Sequence, residues 1–248
     1  KSSALITSTQ GLFKVSGKST YQYELAGQIS APYWKDGLVS IRGKINQNLL
    51  TVSRYEASGS QGRLAGDASL HLGSLKEWHL GIEGNKLDVS AIDARWPSDI
   101  NIKATVQGRG FNRQAEFDVQ VQQLNGALRR QPVQGSGRLQ HIANRWNTKG
   151  IYFSWGAARL SAEGSLAKSD TGSAHDLHWA LEVPALKLLD DQLDGDLSMK
   201  GHLSGAMHTP QMDLQLQTKR FGYEGLSVQK LNVSTSIDMS DQNDSKLE

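Results

Sequence analysis

Apolar and polar residues alternate along most of the chain, as in Phe117, Val119 and Val121 with polar residues between them. Side chains two residues apart lie on the same side of a β-strand, so this period predicts strands with one apolar and one polar face. Helical periodicity is scarce, and short helical turns are predicted only at residues 89–94 and 185–190. The sequence therefore predicts an all-β, antiparallel-rich protein.

The apolar positions of these predicted strands form a candidate binding face. Leucine, isoleucine and valine dominate it, and Trp78 and Trp179 add two large anchors. The predicted lining residues are Val39, Ile41, Leu64, Leu70, Leu72, Trp78, Leu80, Ile82, Ile100, Ile102, Ala104, Val106, Phe117, Val119, Val121, Leu160, Trp179, Leu181, Val183, Leu197, Met199, Leu203, Met212, Leu214, Leu216, Val228, Leu231 and Val233.

An apolar sheet face needs an apolar neighbour, and alternation alone leaves a sandwich, a barrel, a solenoid interior or a bound ligand open. Modular strand spacing and the lack of a covering helix favour an elongated form. Asn125–Gly126 and Asp194–Gly195 are turn signals. The apolar phase changes between Val228 and Leu231, which predicts a bulge or turn near residues 229–230.

The chain contains a long internal repeat. Residues 63–70 (RLAGDASL) return as 159–166 (RLSAEGSL), residues 78–82 (WHLGI) as 179–183 (WALEV), and residues 100–108 as 197–205, at offsets of 96, 101 and 97. The repeat keeps alternation and glycines but no reactive side chain. It therefore indicates a built surface rather than an active site.

The domain prediction follows from continuity of the pattern. No low-complexity linker divides the chain, so residues 1–240 are predicted to form one continuous β segment with repeat units at about 20–110 and 111–240. Residues 241–248 are predicted to be a polar, disordered tail. The first residue is Lys1 rather than methionine, so we expect the chain to be part of a larger protein.

Composition excludes several classes of function. The formal net charge is only +2, from 27 basic and 25 acidic residues, so no nucleic acid or anionic membrane is indicated as a partner. Cysteine is absent, which excludes disulfides and thiolate metal sites. No apolar run approaches the ~18 residues of a membrane-spanning helix.

Candidate chemistry is sparse, and we expect no enzyme, no cofactor and no metal. His175, Asp176 and His178 are the nearest approach to a metal cluster, but the two histidines would face opposite sides of a strand and no third ligand has a recognisable spacing. Carboxylates sit at predicted turns, where aspartate bonds the backbone. The basic residues between Arg129 and Lys149 are interpreted as a solvated face or a protein contact.

Three segments carry a recognisable pattern. They are residues 124–137 (LNGALRRQPVQGSG), residues 93–100 (DARWPSDI) and residues 193–212, in which two glycine-containing strands precede a proline turn. These segments resemble the TamB family, which is related to AsmA-like proteins. The similarity is to the middle region of the family and covers most of residues 25–237. Arg130 stands where a glycine is more usual, which affects the expected local turn.

The resemblance implies a folded-over sheet, or β-taco, with an apolar concave groove and a polar outer face. It also implies a periplasmic location in a protein anchored in the inner membrane, the outer-membrane partner TamA, and a role in outer-membrane biogenesis. That role would be conduction of phospholipid acyl chains along the groove or assistance to β-barrel assembly.

Three hypotheses follow for function. The first is a passive groove for phospholipid, because a uniform lining of aliphatic residues holds an acyl chain without trapping it. The second is a chaperone-like scaffold that binds unfolded barrel strands at a sheet edge. The third, an enzyme or sugar-binding solenoid, needs a recurring outward strip of Asp, Lys and Arg that the sequence does not contain.

Overall fold

A computed structural model describes residues 7–31, 34–74, 76–112, 115–167, 174–206 and 208–238. Strands account for most of these residues. The chain divides into two compact units, residues 1–135 and 136–248. The predicted tail at 241–248 lies outside the described residues.

Unit 1 is built from long strands of 10 to 13 residues, as the uninterrupted alternation predicts. Its strands are β1 (Thr7–Gly17), β2 (Tyr21–Ala31), β3 (Trp34–Ile45), β4 (Leu49–Gly59), β5 (Gly62–His71), β6 (Glu77–Leu87), β7 (Ser98–Arg109) and β8 (Glu116–Leu128).

Strand β9 (Gln131–Ile142) runs across the division between the units. The remaining strands belong to unit 2. They are β10 (Arg145–Trp155), β11 (Ala158–Ala167), β12 (Ala174–Val183), β13 (Leu193–Gly195), β14 (Leu197–Ala206), β15 (Thr209–Tyr223) and β16 (Leu226–Asp238).

The hydrogen-bonded order of the strands follows the chain from β1 to β12 and continues through β14 and β15 to the short β13, while β16 also pairs with β15. Every pair with a described register is antiparallel. Over the described residues the sheet is not closed into a barrel. The prediction of an all-β, antiparallel-rich fold is confirmed.

Helical structure in the described residues is confined to two short 3₁₀ turns at Val89–Ala91 and Leu186–Leu188. Both fall within the segments where helical turns are predicted. Asp88 caps the first turn through a hydrogen bond from the Ser90 amide to its carboxylate, 3.0 Å long. No helix in the described parts of the chain has the length and apolarity needed to cross a bilayer.

The internal repeat is also a repeat of elements. Strands β5 and β6, the first 3₁₀ turn and strands β7 and β8 recur in the same order as β11 and β12, the second 3₁₀ turn, β13 with β14, and β15. The break between β13 and β14 falls at Asp196, whose carboxylate accepts hydrogen bonds from the Lys219 and Arg220 amides of β15. The two copies therefore differ by this break in the strand and by turn lengths.

The turn prediction at Asn125–Gly126 is wrong. Both residues lie inside β8, where Asn125 pairs with Asn101 and Gly126 with Ile100. Gly126 has φ 134°, and a Cβ there would lie 1.9 Å from the Asp99 carbonyl oxygen. The glycine is required for close approach of two strands, which a local turn signal does not distinguish from a reversal. Asp194 and Gly195 likewise lie within β13 rather than in a turn.

The reversal between β8 and β9 uses Arg129 and Arg130, both with positive φ (49° and 64°). Such a pair of left-handed residues is typical of tight two-residue hairpins, where glycine or asparagine is commoner. The replacement of the expected glycine by Arg130 therefore keeps the reversal, at the cost of placing a side chain in a sterically restricted conformation.

The phase change near residues 229–230 has a different cause from the predicted bulge or turn. Thr218 pairs with Leu231 and Arg220 with Gln229, so the register is the same on both sides. Lys230 between them adopts φ 53°. The alternation of apolar and polar residues is therefore interrupted by a residue in the left-handed conformation, and no residue is inserted into the strand.

The best-packed core of unit 2 lies where the second 3₁₀ turn meets the sheet. Leu186, Val183 and Ala158 are 2%, 1% and 8% exposed and form one cluster. Leu181, Leu188, Leu193 and Leu197 pack against this cluster. The turn thus covers one end of the apolar residues of unit 2.

We expect Leu186→Ala to lower the free energy of unfolding of the chain by about 2–4 kcal/mol, because it removes a fully buried side chain and leaves a cavity. Leu189→Ala, next to the same turn but 43% exposed, should cost less than about 1 kcal/mol. Urea unfolding followed by circular dichroism measures both. Equal losses would mean that the cluster is not a core.

Candidate functional site

The apolar side chains of unit 1 line up across neighbouring strands. Leu70 of β5 pairs with Trp78 of β6, and Leu80 pairs with Val106 of β7, which in turn pairs with Val119 of β8. Directly paired residues share a face. The same registers place Val39, Ile41, Leu64, Ile82, Ile100, Ile102, Ala104, Phe117 and Val121 in parallel rows.

Unit 2 forms equivalent rows. One row crosses β11, β12, β14, β15 and β16 through Leu160, Leu181, Met199, Leu216 and Val233. A second joins Leu177, Leu203, Met212 and Ile237, and a third joins Ala162, Trp179, Gly201, Leu214 and Thr235. We call the face that carries these rows in each unit its apolar face.

Bulges keep the rows in phase where the sequence alternation slips. In β4 the register shifts between Val52 and Tyr55, so both residues lie on the apolar face despite odd spacing. In β10 a shift between Thr148 and Ile151 has the same effect. Because side-chain direction has a period of two, each extra residue restores the apolar set to one side.

Most predicted lining residues are neither buried nor fully exposed. Only Ala104 and Val183 are buried, at 6% and 1%, and Leu160, Val228, Leu231 and Val233 are exposed, at 37% to 48%. The rest, apart from Leu72, are half-buried. Within each unit the described apolar face is thus partly accessible.

Two predicted lining residues have special positions. Leu72 follows the last residue of β5, is 48% exposed, and donates its amide to the Asn48 carbonyl at 2.7 Å. Val228 lies beyond Lys230 and pairs with Phe221, which pairs with Gly195 of β13. The role of all these residues in binding lipid stays a prediction.

Large aromatic rings on the apolar face lie over cross-strand glycines. Trp179 pairs with Gly201, where a Cβ would lie 2.3 Å from the indole Cε2. Trp78 pairs with Gly108, where a Cβ would lie 2.7 Å from Cζ2. The two tryptophans of the sequence repeat therefore lie flat against the sheet because their partners have no side chain.

Two tyrosine hydroxyls that enter the apolar face are hydrogen-bonded. The Tyr55 hydroxyl donates to the Gly81 carbonyl at 2.7 Å, and the Tyr23 hydroxyl to the Thr51 carbonyl at 3.2 Å. Burial raises the pKa of both phenols, and the carboxylates of Asp67 and Glu83 raise that of Tyr55 further. Both phenols are neutral near pH 7 and add no charge to the face.

The opposite face of the sheet carries ion pairs between neighbouring strands. Lys103 lies 3.8 Å from Glu83, and the Arg63 guanidinium lies 2.8 Å from Glu56. The hydrogen bond from Arg63 holds the pKa of the Glu56 carboxyl below its usual value. These pairs are solvent-exposed and contribute little to stability, so they define the outer, hydrated side of the sheet.

One polar cluster was missed by the sequence analysis. His178 of β12 lies directly opposite His202 of β14, and both approach the Asp176 carboxylate. As predicted, His175 points to the other face, where its Nδ1 accepts a hydrogen bond from the Ala167 amide at 3.2 Å. The missing third group, His202, is 24 residues from His178, so only alignment of the two strands could have found it.

Two of the basic residues noted in the sequence have local partners. Arg129 of unit 1 lies over the Trp96 ring, with its guanidinium carbon 5.3 Å from the ring centre. In unit 2 an Nη atom of Arg145 donates to the Ser165 hydroxyl at 2.5 Å and to the Ala174 carbonyl at 3.1 Å. These contacts favour a structural role for both arginines.

Comparison with known protein families identifies the family of the chain that carries these apolar faces. The family model described as TamB, N-terminal domain, matches residues 1–248, which is the whole chain. The chain belongs to the TamB family. The matched model describes the family's N-terminal domain, whereas the motifs had suggested its middle region. No solved structure shows a match to the chain.

TamB family membership supports involvement of this chain in the translocation and assembly module and in outer-membrane biogenesis. It also suggests association with TamA and the membrane system. The family does not by itself distinguish lipid transport from assistance to barrel assembly. The apolar faces are therefore the features from which a more specific function has to be argued.

The contact between Trp179 and Gly201 gives a test of how the apolar face is built. We expect Gly201→Ala to destabilise the chain by about 1–3 kcal/mol, because the new methyl group displaces the indole ring. In a Trp179→Ala background the same change should cost much less, and a double-mutant cycle of urea unfolding measures the coupling. Gly73→Ala is the control, since a Cβ there meets no atom within 4 Å. Additive effects would contradict the arrangement.

Proposed function

We propose that the apolar faces of this TamB-family chain hold phospholipid acyl chains during transport between the inner and outer membranes. The observation that carries the proposal is the set of apolar rows, continuous from strand to strand within each unit and left half-exposed over the described residues. Monomeric proteins rarely expose apolar patches of this kind unless they bind something apolar.

The energetics of an acyl chain fit such a lining. At about 0.8 kcal/mol per methylene, a chain of roughly sixteen carbons loses on the order of 12 kcal/mol if it is moved into water. A transport surface must offset most of this cost along its whole length. Rows of Leu, Ile, Val and Met do so evenly, whereas ion pairs or fixed hydrogen-bond sites would interrupt the surface.

The placement of polar groups supports the same function. The ion pairs of Lys103 and Arg63 lie on the outer side, one residue away in sequence from Ile102 and Leu64 of the apolar face. The tyrosine hydroxyls on the apolar side donate to backbone carbonyls. An acyl chain on this face would therefore meet few polar atoms that lose hydration.

The proposal includes a cellular location and a mode of action for the chain, both taken from the family. The chain would act in the periplasm, as part of a protein anchored in the inner membrane that works with TamA. Its action would be passive, without catalysis or a cofactor. Val183 would contribute packing rather than lipid contact, since it belongs to the core cluster beneath the second 3₁₀ turn.

A chaperone-like scaffold for outer-membrane barrel proteins is the second candidate, and one observation favours it. Among the described residues β16 pairs only with β15, and Leu226, Val233 and Ile237 along it are 77%, 41% and 39% exposed. A strand with an unpaired edge is a template for addition of another strand. Unfolded barrel strands would then be held by backbone hydrogen bonds at β16.

Site-specific photo-crosslinking in cells tests the first proposal. A photoreactive residue placed singly at Ile102, Leu203 or Leu214 should give phospholipid adducts, because these side chains lie in half-exposed apolar rows. The same residue at Lys103 or Gln215, which are adjacent in sequence but exposed on the outer side, should give none. Mass spectrometry of the adducts identifies the lipid.

The failure outcomes separate the two candidates. Adducts at none of the five positions, or equally at all of them, would exclude the apolar face as the lipid surface. Protein adducts from a probe at Ser236 on β16, without lipid adducts at Leu214, would favour the scaffold for barrel assembly instead.

A charge placed in a row should block lipid. We expect Leu214→Glu to reduce phospholipid adducts at a Leu203 probe by about tenfold or more, since a carboxylate beside an acyl chain costs well over the 1.4 kcal/mol that corresponds to tenfold. Gln215→Glu is the matched control, because Gln215 pairs with Lys200 on the outer side. Equal adduct yields in the two variants would count against the proposal.

A further inference from the structure

The outer side of unit 2 carries a cluster of groups that the proposed lipid function does not use. His178 and His202 are cross-strand partners, and their rings stack with centroids 3.8 Å apart and planes 8° apart. Their Nε2 atoms lie 3.3 Å and 3.0 Å from the same oxygen, Oδ1 of Asp176. Two imidazole nitrogens thus contact the same carboxylate oxygen.

The spacing of these atoms suits a metal ion. The three ligand atoms all lie within 4.8 Å of one another. Around a tetrahedral zinc ion, bonds of about 2.0–2.2 Å place ligand atoms roughly 3.3 Å apart. The observed separations of 3.0 Å and 3.3 Å are already close to that value. Because the two rings are stacked nearly parallel, the exposed imidazoles would rotate to turn both Nε2 lone pairs toward one ion.

The surroundings also favour a cation. The register places Glu163, His178, His202 and Asp213 in one row across four adjacent strands, with a carboxylate at each end. These four side chains line a depression of about 500 Å³ on the outer side of the sheet, and Lys200 is the one lysine or arginine among its lining residues. Negative charge therefore outweighs positive charge around the imidazoles.

The cluster is accessible without rearrangement of the sheet. The side chains of His178 and Asp176 are 64% and 67% exposed, and that of His202 is 34% exposed. An ion bound there would keep one or more positions for water, because three protein ligands leave a tetrahedral zinc ion incomplete. We therefore expect reversible binding rather than a permanently buried structural ion.

We propose that Asp176, His178 and His202 form a binding site for a divalent transition-metal ion of the zinc type. Imidazole nitrogen with one carboxylate oxygen is a ligand set that such ions accept. The ion would join β12 to β14 on the outer side, directly behind the pair of Trp179 and Gly201 on the apolar face. This site is separate from the lipid surface, and its test does not depend on lipid binding.

The test is titration of the untagged chain with Zn²⁺ by isothermal calorimetry, and with Co²⁺ by visible absorption. We expect one ion per chain and a cobalt spectrum typical of nitrogen and oxygen ligands. His178→Gln and His202→Gln should each weaken binding by about tenfold or more, since changes around a metal site have at least that effect. Circular dichroism checks that each variant remains folded.

A matched control comes from unit 1. His79 lies 3.3 Å from Asp67, an exposed histidine–carboxylate pair outside the cluster. His79→Gln should leave the affinity and the stoichiometry unchanged. Absence of stoichiometric binding, unchanged affinity in His202→Gln, or an equal loss in His79→Gln would overturn the proposal, leaving the cluster as a hydrogen-bonded structural contact.

Discussion

The constraint on which this structure depends is the antiparallel register, which decides what every side chain faces. A slip of one residue between two strands would move a whole apolar row to the hydrated side of the sheet. The bulges in β4 and β10 prevent such slips, since Val52 with Tyr55 and Thr148 with Ile151 remain on one side despite odd spacing. The same register brings Trp179 over Gly201 and Leu203 beside Met212.

An apolar face that is only partly covered is the main consequence. In unit 2 the second 3₁₀ turn covers it around Val183 and Leu186, whereas the rows through Leu160 and Leu214 stay accessible. Burial of apolar area is the largest favourable contribution to the free energy of folding. A sheet that leaves such area exposed gains less of this free energy. Exposed apolar area of this kind is typical of surfaces that bind an apolar partner.

The two faces of the sheet can carry unrelated functions because alternation separates them. Trp179 and Gly201 belong to the apolar rows, while the next residues along the same strands, His178 and His202, belong to the outer side. The histidines and the apolar pair therefore face different surroundings even though they are adjacent in sequence. The proposed lipid surface and the proposed ion site lie on opposite sides of the sheet and do not compete for the same residues.

Local patterns in the sequence were sufficient for the strands, the two 3₁₀ turns, the internal repeat and the family, because alternation and motif spacing depend on near neighbours. They failed where two distant strands determine the outcome. Gly126 lies inside a strand because of a close approach to Asp99, and the phase change near Lys230 is a left-handed residue in an unchanged register.

The cluster of Asp176, His178 and His202 likewise needed His202 to be set opposite His178 by the pairing of β12 with β14. Val183 and Leu160 have the same place in the alternation pattern. The position of the 3₁₀ turn decides that Val183 is buried and Leu160 is exposed. Alternation fixes which residues share a face, but only the packed strands decide which of them meet and which stay open.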